Sequence, residues 1–271
     1  MSMKKEFHPW EGYVKPFRIF GNLYFIGTRP ASTHLIDTGD GLILIDPGYP
    51  LSLYLVLENM RALGFSPYDI KYIINTHGHF DHCGATRALA ELTHAKTFLG
   101  AEDLPFVNGE TDLHLGGTKS DPACCFQELF TPDVLLREGD HITLGNTDVL
   151  CREAPGHTPG TMAFFFNVTD GTRTLRAAMH GGVGMNSMNG EFLRQYGLSD
   201  ETRNQFVPAI LRFIDEPVDI HLGNHVGNND TVGKSLQMTE TSNPFIDPTA
   251  WKRFLTQCID NWNKMIREET P

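Results

Sequence analysis

The run Thr76-His77-Gly78-His79-Phe80-Asp81-His82 sets three imidazoles and a carboxylate within the six positions from His77 to His82. Neutral imidazole and carboxylate oxygen are preferred ligands of zinc and similar divalent ions. Four such groups exceed what one catalytic ion takes from one short segment, since its remaining ligands normally arrive from elsewhere in the fold. The surplus points to two ions. His77 and His79 alternate by two, so on an extended or turning backbone both rings project to one side. Asp81 and His82 continue onto the next turn and can serve a neighbouring ion. Semi-buried histidines at this density need a partner that offsets their desolvation.

The flanking residues indicate how this cluster is held. Lys71-Tyr72-Ile73-Ile74-Asn75 is a β-branched and aromatic run that reads as a buried strand. Beyond Gly84, Ala85 to Leu92 is a good helix-forming segment. The cluster therefore falls on the loop at the C-terminal end of a strand, where open α/β sheets place their ligands. Two distant loops offer the missing donors. Ala154-Pro155-Gly156-His157-Thr158-Pro159-Gly160 fixes His157 in a turn stiffened by prolines and glycines. Gly223-Asn224-His225-Val226-Gly227-Asn228 carries His225 just after a strand, and His221, four residues earlier, competes for the same role.

The rest of the pattern supplies a frame for these loops. Phe17–Phe20, Leu23–Gly27, Thr33–Asp37 and Leu42–Asp46 read as strands, the last two joined by an Asp-Gly turn. Leu51 to Leu63 is apolar at helical spacing and stops at Gly64. A second half follows, with strands at Val134–Leu136, His141–Leu144, Val149–Arg152, Met162–Phe166, Arg173–Met179 and Val218–Leu222. Helical patterns at Phe206–Ile214 and Pro248–Arg267 accompany it, the latter amphipathic. Strands then helices, twice over, predict an α/β fold with two sheets face to face and helices outside, a four-layer αββα sandwich.

Composition narrows the function. The 271 residues are 40% hydrophobic and 20% charged, an ordinary globular profile with no linker to divide it, so we expect one domain over residues 1–271. A formal charge of −11 argues against a nucleic-acid surface. No stretch approaches the roughly 20 apolar residues of a membrane span. The N-terminus has no apolar run behind its two lysines and does not read as a secretory signal. The five cysteines, Cys83, Cys124, Cys125, Cys151 and Cys258, form no disulfide framework. Together these predict a cytoplasmic protein acting on a small molecule, without nucleic-acid or membrane partners.

With THGHFDHCGA, the GHTPG turn and the late GNHVG loop in hand, the chain resembles the metallo-β-lactamase superfamily over nearly its whole length. The resemblance implies the αββα sandwich, with a dinuclear site, usually zinc, at its edge. It implies that His77, His79 and His157 hold the first zinc, and Asp81, His82 and His225 the second. Most members add a bridging aspartate after the strand that follows GHTPG. Here that segment is Arg176 to Met185, with His180 and no carboxylate. The third subclass of true metallo-β-lactamases also lacks a ligand there, and the chain is most similar to it. Trp10, Gly27-Thr28 and the Leu113–Gly117 loop add to the likeness.

The resemblance further implies a zinc-bound hydroxide that attacks a carbonyl carbon, with Asp81 orienting it and passing its proton onward. A β-lactam amide is the expected substrate, and a thioester or lactone the near alternative. Two further readings are a di-iron redox enzyme and a non-catalytic metal-binding member. His180 and His221 stand as additional ligand candidates, and His180 equally as a substrate contact or a supporting group. Asp46, at a strand end, either accepts a histidine N–H or caps the turn before Pro47-Gly48. The loop from Asn108 to Phe126 is expected to cover the site and tune specificity.

Overall fold

A computed structural model describes residues 8–111 and 128–269 of the protein. The first sheet has seven strands in the order β1 (Phe17–Phe20), β2 (Leu23–Phe25), β3 (His34–Asp37), β4 (Leu42–Ile45), β5 (Ile70–Ile74), β6 (Lys96–Gly100) and β7 (Val134–Leu136). The first four strands form an antiparallel meander, and β4 to β7 run parallel. The second sheet has the order β12 (Ile220–Gly223), β11 (Thr174–His180), β10 (Met162–Thr169), β9 (Thr147–Glu153) and β8 (His141–Leu144). Its β8 to β11 are antiparallel, and β12 joins β11 in parallel.

Alternation along the strands builds the layers. Ile43 and Ile45 of β4 and Phe164, Phe166 and Val168 of β10 meet in a core between the two sheets. Leu42 and Leu44 turn outward against helix Leu53–Ala62, whose Val56 and Met60 are buried. Ala163 and Phe165 turn the other way, against helices Phe206–Leu211 and Ala250–Glu269. Strands buried on both faces read as continuous apolar runs, as β4 and β10 do. The result is the expected αββα sandwich.

One assignment is corrected. Val134–Leu136 was expected in the second half, yet it pairs parallel with β6 through Phe98↔Val134 and closes the edge of the first sheet. A three-residue apolar run carries no signal for which sheet it joins, and a parallel partner need not be adjacent in sequence. The segment 112–127, with the Leu113–Gly117 loop, Cys124 and Cys125, lies outside the described residues, as does most of the expected covering loop. Cys83, Cys151 and Cys258 are buried and form no disulfide with one another. Among the described residues, no helix is long and apolar enough to cross a membrane.

Trp251 anchors the outer helix of the second half. It is 1% exposed, its Nε1 donates to the Phe213 carbonyl at 2.9 Å, and its ring lies edge-on to Phe165. Trp251→Ala is expected to cost about 3–5 kcal/mol through the cavity it leaves. Trp251→Phe, which mainly orphans that carbonyl, is expected to cost about 1–3 kcal/mol. Chemical denaturation measures both, and the reverse order would contradict this packing.

Candidate metal centre

The His-rich run leaves β5 at Ile74 and is pinned at once. The Asp46 carboxylate accepts from Thr76 N and from Thr76 Oγ1, both at 2.7 Å, and from His82 Nδ1 at 2.9 Å. Asp46 itself follows β4 with φ +55°, a left-handed conformation that a short Asp tolerates. His79 precedes the short helix Phe80–Cys83, so Asp81 and His82 stand in its single turn. His157 comes from the turn between β9 and β10, and His225 from the loop after β12. All six residues named from the sequence meet at one edge of the sandwich.

They converge in two groups. His77, His79 and His157 offer nitrogens within 4.8 Å of one another, as do the ligand atoms of His77, Asp81 and His82. His77 Nε2 is 3.1 Å from His79 Nδ1. Asp81 Oδ2, His82 Nε2 and His225 Nε2 form a triangle with sides of 3.2, 3.3 and 3.5 Å. Ligands on a tetrahedral zinc at ordinary bond lengths stand about 3.3 Å apart.

The tautomers explain why this triangle needs a cation. His82 Nδ1 donates to Asp46, and His225 Nδ1 donates to the Pro30 carbonyl. In neutral rings both Nε2 atoms are then lone pairs, and they face a carboxylate oxygen. Three acceptors pointed at one spot repel unless a positive charge sits among them. Burial works against a charged His82, but Asp81 and Asp46 together hold its pKa up to about 10. His82 and His225 in turn hold the Asp81 carboxyl well below its usual range, although burial opposes this. The other group behaves differently. Burial pushes His79 down to about 4, and burial with neighbouring imidazoles drives His77 and His157 well below the usual histidine range. Those three rings are neutral, the form that binds metal.

Each ring is oriented from behind, as ligating histidines generally are. His157 Nδ1 donates to the Gly184 carbonyl at 2.8 Å and lies 3.1 Å from Ser187 Oγ. Asn224, 1% exposed, donates to the Gly181 carbonyl at 2.6 Å and so ties the His225 loop to the end of β11. Asp103, just after β6, accepts from Gly78 N at 2.7 Å, Thr158 Oγ1 at 2.7 Å and Gly160 N at 2.6 Å. It joins the loop of His77 and His79 to the loop of His157. Burial pushes its carboxyl up to about 6, against those three hydrogen bonds.

Asp46 matches one of its two sequence readings, the histidine acceptor. Asp103, Asn224, Ser187 and the Pro30 carbonyl were not anticipated. Only Asp103 had a usable signal, an acidic residue at the C-terminal end of a parallel strand.

His180 and His221 do not join the cluster. Residue His221 pairs with Ala178, whose side chain faces the helical layer, and its ring stacks 4.3 Å from Phe254. His180 shares that face, with Phe213 5.6 Å away, and its Nδ1 accepts from Gly182 N. Both Nε2 atoms are buried without a hydrogen-bond partner, and burial pushes both rings down to about 3. They are neutral packing groups of the outer core.

Known proteins are similar to this chain. A family model described as the metallo-beta-lactamase superfamily matches residues 26–170. The native FEZ-1 metallo-beta-lactamase from Legionella gormanii superposes with a TM-score of 0.85 at 28% identity, covering 95% of this chain and 97% of that one. BJP-1, a subclass B3 metallo-beta-lactamase of Bradyrhizobium japonicum, gives 0.82 at 26% identity over 100% and 98%. The probable metallo-hydrolase YflN of Bacillus subtilis (strain 168) is 29% identical over 154 residues, 53% of this chain and 55% of that protein. The chain spans about half the length of the curated relatives it matches.

The two carboxylates divide the support of the cluster. Asp103→Asn turns an amide N–H₂ toward one of its buried donors and is expected to cost about 1–3 kcal/mol in denaturation. Metal titration should show that it weakens uptake at His77, His79 and His157 more than at Asp81, His82 and His225. Asp46→Asn should reverse that order. Equal losses at both groups in both variants would refute this division.

Proposed function

Because the chain belongs to the metallo-β-lactamase superfamily, we propose that it is, as one domain, a zinc-dependent hydrolase of carbonyl substrates, with β-lactam amide hydrolysis as its leading reaction. In this reading His77, His79 and His157 hold one zinc, and Asp81, His82 and His225 hold the other. The observation that carries it is the triangle of Asp81 Oδ2, His82 Nε2 and His225 Nε2, three acceptors spaced as on one tetrahedral ion. Bound there, two zinc ions would lower the pKa of a shared water to about 7 and polarise the substrate carbonyl.

The chain's own residues do the rest. Asp81 would orient the nucleophile and take up its proton at the carboxylate oxygen turned away from His82 and His225. Asp46 and the Pro30 carbonyl fix the tautomers of His82 and His225, so that both Nε2 atoms point inward. Gly184 does the same for His157. The floor of this edge is buried, with His77 and His82 fully buried and His79 4% exposed, while the His225 side chain is 40% exposed. Charge interactions there are accordingly stronger than in water.

The region after β11 favours the β-lactam reading over a thioesterase or lactonase. His180-Gly181-Gly182 offers no carboxylate, and the His180 ring faces the helical layer. With no bridging carboxylate, the Asp81 group rests on three protein ligands alone. Metal titration of the apoprotein should resolve a tighter and a weaker event, and two inseparable tight events would contradict this.

The activity has its own test. Elemental analysis should find zinc, up to two ions per chain, and the zinc-loaded protein should open a chromogenic cephalosporin. His79→Ala should reduce that rate to the level of the metal-free protein. Iron in place of zinc, or equal rates with and without His79, would sink the proposal.

A further inference from the structure

A cavity of about 200 Å³ opens beside His79 and His157, and Asp81 and His225 are not among its described lining residues. Its walls are Phe106, from the short helix Leu104–Val107, and Phe192, Leu193 and Leu198, from helix Gly190–Tyr196 and the turn after it. Asn189 caps that helix by accepting from Phe192 N, and Gly197 ends it in the left-handed conformation. The cap and the stop fix where Phe192 and Leu198 stand. Leu198 is 37% exposed and lies at the mouth. A leucine kept open to solvent beside a reactive centre is poised for an apolar ligand rather than for the core.

Two polar residues of the cavity, Ser187 and Arg203, are engaged with neighbouring groups. Ser187 Oγ contacts His157 at Nδ1 and at its carbonyl, both at 3.1 Å. Among the described residues, Arg203 is the one lysine or arginine in the lining, and no carboxylate joins it there. Its guanidinium pairs with Asp200 at 2.8 Å and Glu269 at 2.8 Å, and donates to the Met188 carbonyl at 3.1 Å. A cation neutralised twice has little left for a substrate anion. Among the described residues the cavity has mostly apolar walls, and its one cation stands between two carboxylates.

We propose that this cavity is the acyl-side specificity pocket, which selects substrates whose carbonyl carries an uncharged, apolar alkyl or aryl substituent. The inference rests on the hydrolase reading above, because the cavity shares His79 and His157 with the proposed ion nearer it. A carbonyl polarised at that ion directs its acyl substituent along the wall of Phe106, Phe192 and Leu198. The leaving group then points toward Asp81, His82 and His225. A substituent ending in a carboxylate meets no unpaired cation and pays the desolvation of its charge.

The test is a series of p-nitrophenyl esters from acetyl to decanoyl, plus a suberyl monoester with a terminal carboxylate, on the zinc-loaded protein. Each methylene that enters the pocket should raise kcat/KM about fourfold, until the cavity is full. The suberyl ester should fall well below the octanoyl ester. Leu198→Asp, at an exposed position that should leave folding intact, should flatten the dependence on length. A flat series in the wild type, a preference for the carboxylate, or an unchanged slope in Leu198→Asp would overturn the proposal. If neither an ester nor the chromogenic cephalosporin is hydrolysed in a metal-dependent way, the hydrolase reading fails instead. The pocket is then read by calorimetric binding of linear carboxamides from butanamide to decanamide. Affinity that climbs with length supports it, and a flat series overturns it.

Discussion

Acceptor atoms facing one another across a buried cleft are the constraint around which this protein is arranged. His82 Nε2, His225 Nε2 and Asp81 Oδ2 each point at the same spot, and the opposite nitrogen of each imidazole is already committed as a donor. Such an arrangement is repulsive until a positive charge enters, so it persists only because the surrounding fold over-determines it. The raised pKa of His82 expresses the same demand in another form.

What over-determines it is the set of strand ends. Asp46 after β4 and Asp103 after β6 flank β5 in the first sheet, and each carboxylate reaches across to the run that leaves β5. Asp46 clamps the start of that run and the back of His82, while Asp103 clamps Gly78 and the turn of His157. The parallel order of β4, β5 and β6 is what puts both carboxylates at the same edge. A carboxylate with three backbone or hydroxyl donors costs less to bury than a free one, and it holds two loops in a single geometry.

The legibility of the sequence followed the range of each interaction. β4 and β10 were readable because a strand buried on both faces writes itself as an unbroken apolar run, and helix Ala250–Glu269 because its apolar face repeats every turn. The convergence of His77, His79, Asp81, His82, His157 and His225 was readable because each sits in a short motif of glycine, proline and ligand residues. Membership of β7 in the first sheet was not readable, since three apolar residues do not name their partner. Asp103 and Asn224 were also missed. Each looks like an ordinary polar residue until the partner loop, 55 or 43 residues away in the chain, is brought against it. His221 looked as good as His225 by spacing, and only strand parity, fixed by the pairing of His221 with Ala178, turns it to the helical layer.

The missing carboxylate after β11 has a steric cause, which argues against a site that has merely drifted. A Cβ at Gly181 would lie 2.2 Å from the Met162 carbonyl and 2.7 Å from Thr76, and one at Gly182 would lie 2.5 Å from the ring of His157. The Met162 carbonyl, Thr76 and the His157 ring thus fill the space into which a side chain at either glycine would have to grow. His180, the last residue of the strand before this pair, has the opposite parity and belongs to the aromatic layer of Phe206 and Phe213. The close approach has a counterpart in the Gly184 carbonyl, which reaches His157 Nδ1 because the chain passes so near. Trading a bridging ligand for a backbone that orients His157 strengthens one group of donors at the expense of the other. It also leaves the far side of His157 open, and the cavity of Phe106, Phe192 and Leu198 lies there. The asymmetry of the cluster and the place of the pocket are thus consequences of one feature, two glycines packed against Thr76 and His157.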